Sequence, residues 1–258
     1  FSASVSDGKL TWYENDGNGN FGTEQIIYTN IIGTFLVYAA DLDKNGYTDI
    51  IAISCYYNKI VWCKNKGNKK FEEKHIFHIE EVKHGITCLN ISDLDCDSDL
   101  DILIGNGKKI LWLENNGNGI FSKPKTLLKL AIPCHYFNIA NLNNKHKLDI
   151  ITMNNIKNQK VIIYYENDGS NNFKQGERQN IGTNLGLQNF SINDFNNDNH
   201  LDIIASWGNN NAIGYYNFTK NKHLEKHQHL KTSEVHTLFI TNGDLDNDGD
   251  LDLLSALF

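Results

Sequence analysis

Five nine-residue stretches carry oxygen-bearing side chains at alternate positions: DLDKNGYTD at 41–49, DLDCDSDLD at 93–101, NLNNKHKLD at 141–149, DFNNDNHLD at 194–202 and DLDNDGDLD at 244–252. Ca2+ prefers about six to eight oxygen ligands in a flexible geometry. A tight loop can meet that need by aiming side chains 1, 3 and 5 inward, offering the carbonyl of position 7 and closing on a carboxylate at position 9. The candidate ligands are therefore Asp41, Asp43, Asn45, Tyr47 and Asp49; Asp93, Asp95, Asp97, Asp99 and Asp101; Asp194, Asn196, Asp198, His200 and Asp202; and Asp244, Asp246, Asp248, Asp250 and Asp252. Tyr47, Asp99, His200 and Asp250 enter through their backbone carbonyls.

Position 6 must turn sharply. Gly46 and Gly249 do so freely, Asn199 tolerates the left-handed conformation, and Ser98 is expected to be strained there. In the third copy Asn141 and Asn143 replace two aspartates and Lys145 stands at position 5. An ammonium among the ligands excludes a cation, so that loop is expected to be empty and four to be filled. Asp, Asn and Gly also favour turns without any ion. Gathering several carboxylates without a cation, however, costs repulsion in every copy. Four Ca2+ ions would bring the formal charge from −7 to about +1.

The elements that position these loops follow from the spacing. Successive nonamers start 52, 48, 53 and 50 residues apart. A second motif interleaves at the same period: WYENDGNGNF at 12–21, WCKNKGNKKF at 62–71, WLENNGNGIF at 112–121 and YYENDGSNNF at 164–173, with a degenerate copy from Tyr215. One unit predicts four short strands. Strand A (34–40) precedes the nonamer and strand B (49–54) follows it; strand C (59–62) carries the aromatic, and strand D (71–77) follows a Gly/Asn turn. These segments are β-branched and aromatic between Gly, Asn and Asp punctuation. The Asn-Gly and Asp-Gly pairs read as a C–D hairpin rather than a second metal loop.

Repeats of this length with four strands predict an all-β fold, a β-propeller of four-stranded blades with five repeats visible. The expectation is a single domain over 1–258. C-terminal strands A and B would complete a blade with N-terminal strands C and D and so close the ring. Residues 1–4 and 254–257 align on the same half of strand B, which also suits a piece of a longer array.

Composition removes other classes. Arg178 is the only arginine and the net charge is −7, so no basic stripe for nucleic acid is present. The most basic run, Lys220 to Lys231, is diluted by Glu and by His223, His227 and His229, and reads as solvated surface. No apolar run reaches membrane-spanning length, and no signal peptide is visible. Cys55, Cys63, Cys88, Cys96 and Cys134 have no disulfide or zinc spacing and read mostly as small buried hydrophobes, an uneasy fit to secretion.

In DLDKNGYTD, DLDNDGDLD and WYENDGNGNF the chain resembles the FG-GAP/VCBS repeat family, whose propellers occur in integrin α subunits, adhesins, fungal lectins and accessory domains of polysaccharide-degrading enzymes. The resemblance implies calcium loops between strands A and B, with Asp41, Asp43, Asn45, Asp49 and their counterparts as ligands, and an extracellular or cell-surface setting. No nucleophile elbow, phosphate loop or HExxH motif accompanies it. The expectation is a binding, adhesion or scaffolding module, not an enzyme. Its protein or glycan ligand would sit on the face opposite the calcium loops, at Tyr56, Tyr57, 154–160 and 207–211. Alternatives are a lectin with one sugar pocket per blade and a propeller-based polysaccharide lyase.

Overall fold

The computed structural model describes the chain except residues 1, 4–6, 30, 55–57, 80–84, 143–146, 157–158, 184–186, 208–211, 220–223, 232–236, 247 and 258. Among the described residues all regular structure is strand. The chain divides into two compact units, Phe1–Cys134 and His135–Phe258.

In the first unit β1 (Ser2–Ala3), β2 (Leu10–Trp12) and β3 (Gln25–Tyr28) form a three-stranded sheet. Next come two four-stranded antiparallel meanders: β4 (Thr34–Ala40), β5 (Asp49–Ser54), β6 (Lys59–Asn65) and β7 (Phe71–His78), then β8 (Cys88–Ser92), β9 (Asp101–Asn106), β10 (Lys109–Leu113) and β11 (Lys125–Lys129). The predicted strands A and B coincide with β4 and β5. The meander is the propeller blade unit, strands A to D in sequence order.

The second unit repeats it. The sheet of β12 (Cys134–Ala140), β13 (Asp149–Ile156), β14 (Gln159–Asn167) and β15 (Phe173–Thr183) is followed by that of β16 (Leu187–Asn193), β17 (Asp202–Trp207), β18 (Ala212–Phe218) and β19 (Leu224–Lys231). A two-stranded pair, β20 (Thr237–Gly243) and β21 (Asp252–Leu257), ends the unit. Each nonamer thus joins a strand A to a strand B.

In the four-stranded sheets strand B is buried on both faces, which is why it reads as a continuous apolar run, whereas Leu254 of β21 is 56% exposed. Side chains alternate across it. In β5, Ile50 and Ala52 pack with Leu10 and Ile31 of the first sheet's side, while Ile51 and Ile53 pack with Leu89, Ile102 and Ile104 of the next. In β17, Ile203 and Ala205 join Ile151, Met153 and Phe190, whereas Ile204 joins Ile213 and Ile240. Each fully buried isoleucine contributes roughly 1.5–3 kcal/mol.

Aromatics link neighbouring sheets within a unit. Trp62 meets Phe121 edge-on at 5.9 Å, Trp12 meets Phe71 at 6.4 Å, and Tyr164 meets Phe218 at 5.9 Å. The motif's first and last residues therefore pack sheet to sheet rather than within one hairpin. Strand D, at the sheet edge, is bulged against strand C at Trp62/Cys63, Ile110/Leu111 and Tyr215/Tyr216. Such bulges blunt an exposed edge. Of the cysteines, Cys63, Cys88 and Cys134 are buried free thiols as expected, Cys96 is exposed, and Cys55 lies outside the described residues.

Candidate functional site

The nonamers fold as one recurring loop. The position 1 carboxylate caps it: Asp41 accepts from the amides of Asn45 (3.1 Å) and Gly46 (2.8 Å). Asp93 accepts from Asp97 (3.0 Å) and Ser98 (2.9 Å), and Asp194 from Asp198 (3.1 Å) and Asn199 (2.8 Å). Position 6 is left-handed in loops 41–49, 93–101, 194–202 and 244–252, with φ of 83° at Gly46, 74° at Ser98, 64° at Asn199 and 94° at Gly249. Ser98 thus carries the expected strain. Position 4 is left-handed as well, at Lys44, Cys96 and Asn197; the residue types there gave no warning of it.

Position 9 is the deepest. Asp49, Asp101 and Asp202 are fully buried. Asp49 accepts from the amides of Asn65 (2.7 Å) and Leu42 (3.2 Å), and Asp101 from Asn115 (2.8 Å) and Leu94 (3.2 Å). Asp149 accepts from Asn167 at 2.8 Å in the same way. The position 9 aspartate therefore pins the A–B loop to the C–D turn in these three units. In the degenerate fourth unit the Asn is lost, and the Tyr215 hydroxyl donates to Asp202 Oδ2 instead at 2.9 Å.

The C–D turns are the hairpins expected. In each, the Asn side chain accepts from the following Gly amide, as Asn65 does from Gly67 (2.9 Å) and Asn167 from Gly169 (2.9 Å). These glycines have a second reason to lack a side chain. The position 7 residue of the A–B loop lies across them, so a Cβ on Gly67 would stand 2.7 Å from the Tyr47 ring and one on Gly117 would stand 2.5 Å from Asp99 Oδ2.

Carboxylate oxygens converge within 4.8 Å in three groups among the described residues: Asp41, Asp43 and Asp49; Asp93, Asp95 and Asp97; and Asp244, Asp246 and Asp252. Asp101 stands outside its loop's group of three. Loop 194–202 forms no such group, because Asn196 holds position 3 and its amide turns to Asp198 Oδ2 at 3.3 Å. Asp248 and Asp250 are exposed beside the last group, and Asp248 Oδ1 accepts from the Asp250 amide. Asn143 and Lys145 lie outside the described residues.

The donor set fits a hard divalent cation. Asp43 Oδ1, Asp95 Oδ1 and Asp202 Oδ1 are buried oxygens without a hydrogen-bond donor, and a buried carboxylate oxygen needs either a donor or a cation. Burial is the main cause pushing the carboxyls of Asp49, Asp95 and Asp202 above their ordinary range, and it pushes Asp101 up to about 6. Neighbouring carboxylates add to the rise at Asp95, Asp97 first.

The first two loops differ in a residue outside the nonamer. Lys64 Nζ ion-pairs with Asp43, whereas its counterpart Glu114 adds negative charge near Asp95. Lys44 of the first loop reaches Asp99 of the second. The sequence signal for Lys64 lies in the second motif, where Glu14, Glu114 and Glu166 occupy the same place.

Of the opposite-face residues, Tyr56, Tyr57 and 208–211 lie outside the described residues. Asn154 is buried and accepts from Thr152 Oγ1 at 2.7 Å.

No curated protein matches the chain. Among solved structures it is similar to an Agrocybe aegerita lectin described by its recognition of non-reducing terminal N-acetylglucosamine, with 17% identity and a TM-score of 0.71 over 97% of this chain and 69% of that one. It is also similar to a protein from Lactobacillus plantarum, with 11% identity and a TM-score of 0.66 over 99% and 78%. These likenesses establish the fold class, a β-propeller of four-stranded blades. The model of the FG-GAP-like repeat matches residues 1–52, 41–104, 141–205 and 194–255. With that repeat running through most of its length, the chain belongs to the FG-GAP-like repeat family.

Proposed function

We propose that this chain is a calcium-stabilised binding module of the cell exterior whose ligand is a glycan. The observation that carries the calcium reading is the set of orphaned buried oxygens, Asp43 Oδ1 and Asp95 Oδ1, inside groups of three converging carboxylates. A cation would be held by Asp93, Asp95 and Asp97 in one loop, by Asp244, Asp246 and Asp252 in the last, and by Asp41, Asp43 and Asp49 in the first once the Lys64 ammonium swings away from Asp43. It would neutralise their repulsion and stiffen the turn between strands A and B. Loops of this kind suit the calcium concentrations outside cells, where modules bind with Kd of about 10⁻⁴–10⁻³ M. The lectin likeness supports a glycan ligand. Binding rather than catalysis is supported by the carboxylates themselves, since the clustered ones are engaged in shaping the loops.

Thermal unfolding in calcium and in chelator tests the metal. At ten times Kd each filled loop adds about 1.4 kcal/mol, so three loops add about 4 kcal/mol and raise Tm by about 10 °C. An unmoved melting curve removes the calcium reading. A glycan array tests the ligand class, and a blank array with folded, calcium-loaded protein removes that part.

A further inference from the structure

Loop 194–202 lacks the group of three carboxylates, yet its closing aspartate keeps a buried oxygen open. In three other units the Oδ1 of position 9 accepts from a strand C amide: Asp49 from Asn65 at 2.7 Å, Asp101 from Asn115 at 2.8 Å and Asp149 from Asn167 at 2.8 Å. Asp202 is fully buried, and its Oδ2 accepts from the Phe195 amide at 3.2 Å and from the Tyr215 hydroxyl at 2.9 Å. Its Oδ1 has no donor among the described residues.

Asn217 stands directly across from it. Asp202 and Asn217 are register partners in the antiparallel pair of β17 and β18. Opposite residues project to the same face, with Cβ atoms roughly 4.5–5.5 Å apart. Asn217 Oδ1 is likewise a buried oxygen with no donor among the described residues. Two buried acceptors on facing residues call for a shared positive partner. Calcium–oxygen distances of about 2.3–2.6 Å let one ion bridge side chains at that spacing.

The same place on strand C addresses the loop in other units. One residue beyond the Ile50–Cys63 and Ile102–Leu113 pairs, the register sets Lys64 opposite Asp49 and Glu114 opposite Asp101. Lys64 ion-pairs with Asp43, and the charge of Glu114 acts on Asp95. In loop 194–202 position 3 is withdrawn: Asn196 Oδ1 accepts from the Asp198 amide at 3.0 Å and its Nδ2 donates to Asp198 Oδ2 at 3.3 Å. The loop that turns its position 3 side chain aside is the one that sets a neutral oxygen, in place of a lysine or glutamate, on strand C.

We propose that Asn217 is a calcium ligand, its Oδ1 joining Asp202 Oδ1 on a cation in loop 194–202, a step that rests on the calcium reading above. Asp194 and Asp198 supply the remaining negative charge, and Asn217 takes the part that position 3 plays in the aspartate-rich loops.

The test titrates the 258-residue chain with calcium and follows amide NMR shifts, Asn199 and His200 reporting loop 194–202, Ser98 and Gly249 reporting loops 93–101 and 244–252. Asn217→Leu removes the oxygen at similar volume and is expected to weaken calcium at Asn199 and His200 by about tenfold or more. Asn217→Asp keeps the oxygen and adds a charge, and is expected to tighten it by about tenfold. The affinities read at Ser98 and Gly249 are expected to stay the same in both. In chelator Asn217→Leu is expected to melt no lower than the parent chain, because it deletes a buried oxygen that has no donor. A lower Tm in chelator would mean that the side chain, its amide turned to donate to Asp202, serves the fold, and would overturn the proposal. Calcium shifts at Ser98 and Gly249 without shifts at Asn199 and His200, or an affinity there that either variant leaves unchanged, would also overturn it and leave the calcium reading standing. A parent chain in which no loop responds to calcium loses both.

Discussion

Asn115 offers the sharpest quantitative test of how the repeats are joined. It is 1% exposed. Its Nδ2 donates to the Leu100 carbonyl at 3.0 Å and to the Leu42 carbonyl of the preceding sheet's loop at 2.8 Å, and its Oδ1 accepts from the Gly117 amide at 3.2 Å. Asn115→Ala leaves those groups without partners, while the backbone amide still reaches Asp101. An unsatisfied buried group costs about 1–3 kcal/mol. Leu42 is buried and Leu100 only partly so, which puts the total near 3 kcal/mol. For a chain of this size that lowers Tm by roughly 6–12 °C. Asn65 is the internal comparison. It makes the turn bond to Gly67 and a bond to the Thr48 carbonyl at 3.0 Å, and Thr48 is exposed, so water can replace the lost donor. Asn65→Ala should cost only about 1 kcal/mol. Asn118→Ala, at an exposed turn position, should stay within about 0.5 kcal/mol. Urea unfolding in chelator isolates the protein contribution. Equal losses in Asn115→Ala and Asn65→Ala would refute the reasoning, because the bond between sheets would then carry no weight.

Other outcomes follow from the same geometry. Lys64→Glu removes an ammonium from Asp43 and restores the charge found at Glu114, so calcium affinity at loop 41–49 should rise about tenfold or more by calorimetry. Gly117→Ala should destabilise more than Gly17→Ala. Both replace a left-handed glycine at about 1–2 kcal/mol, but only Gly117 has Asp99 within 2.5 Å of the added carbon, whereas nothing lies within 4 Å at Gly17. Asp101 titrates near 6 in the fold against 3.8 unfolded. The folded state then holds the proton more tightly, so metal-free stability should fall as pH rises from about 4 through about 6, by up to about 3 kcal/mol. Asp49 and Asp202, raised for the same reason, act in the same direction. A cation held by Asp41, Asp43 and Asp49 would displace the proton of Asp49, so calcium affinity at that loop should climb as pH rises; a flat affinity between pH 5 and 7.5 would contradict this.

The strand order, the A–B placement of the nonamers and the C–D hairpins were legible because local chemistry imposes them. Period-two apolar runs, Asn-Gly pairs and alternate carboxylates act over a few residues, and fifty-residue repetition multiplied the signal. The left-handed turn at position 6, including the strained Ser98, was likewise readable from the loop pattern. Tertiary structure alone decided what depends on distant partners. Lys64 lies 21 residues beyond Asp43 and ion-pairs with it because strand C runs back beside the A–B loop. Gly67 and Gly117 are constrained by the position 7 side chains laid over them, as well as by their turns. The position 9 aspartate was read as a ligand, yet folding also makes it the buried pin between two turns. The sequence by itself determined the repeat, the strands and the loops that gather carboxylates. Which of those groups are paired, buried or left open to a ligand was decided only when the sheets packed, since desolvation and charge pairing act through space and not along the chain.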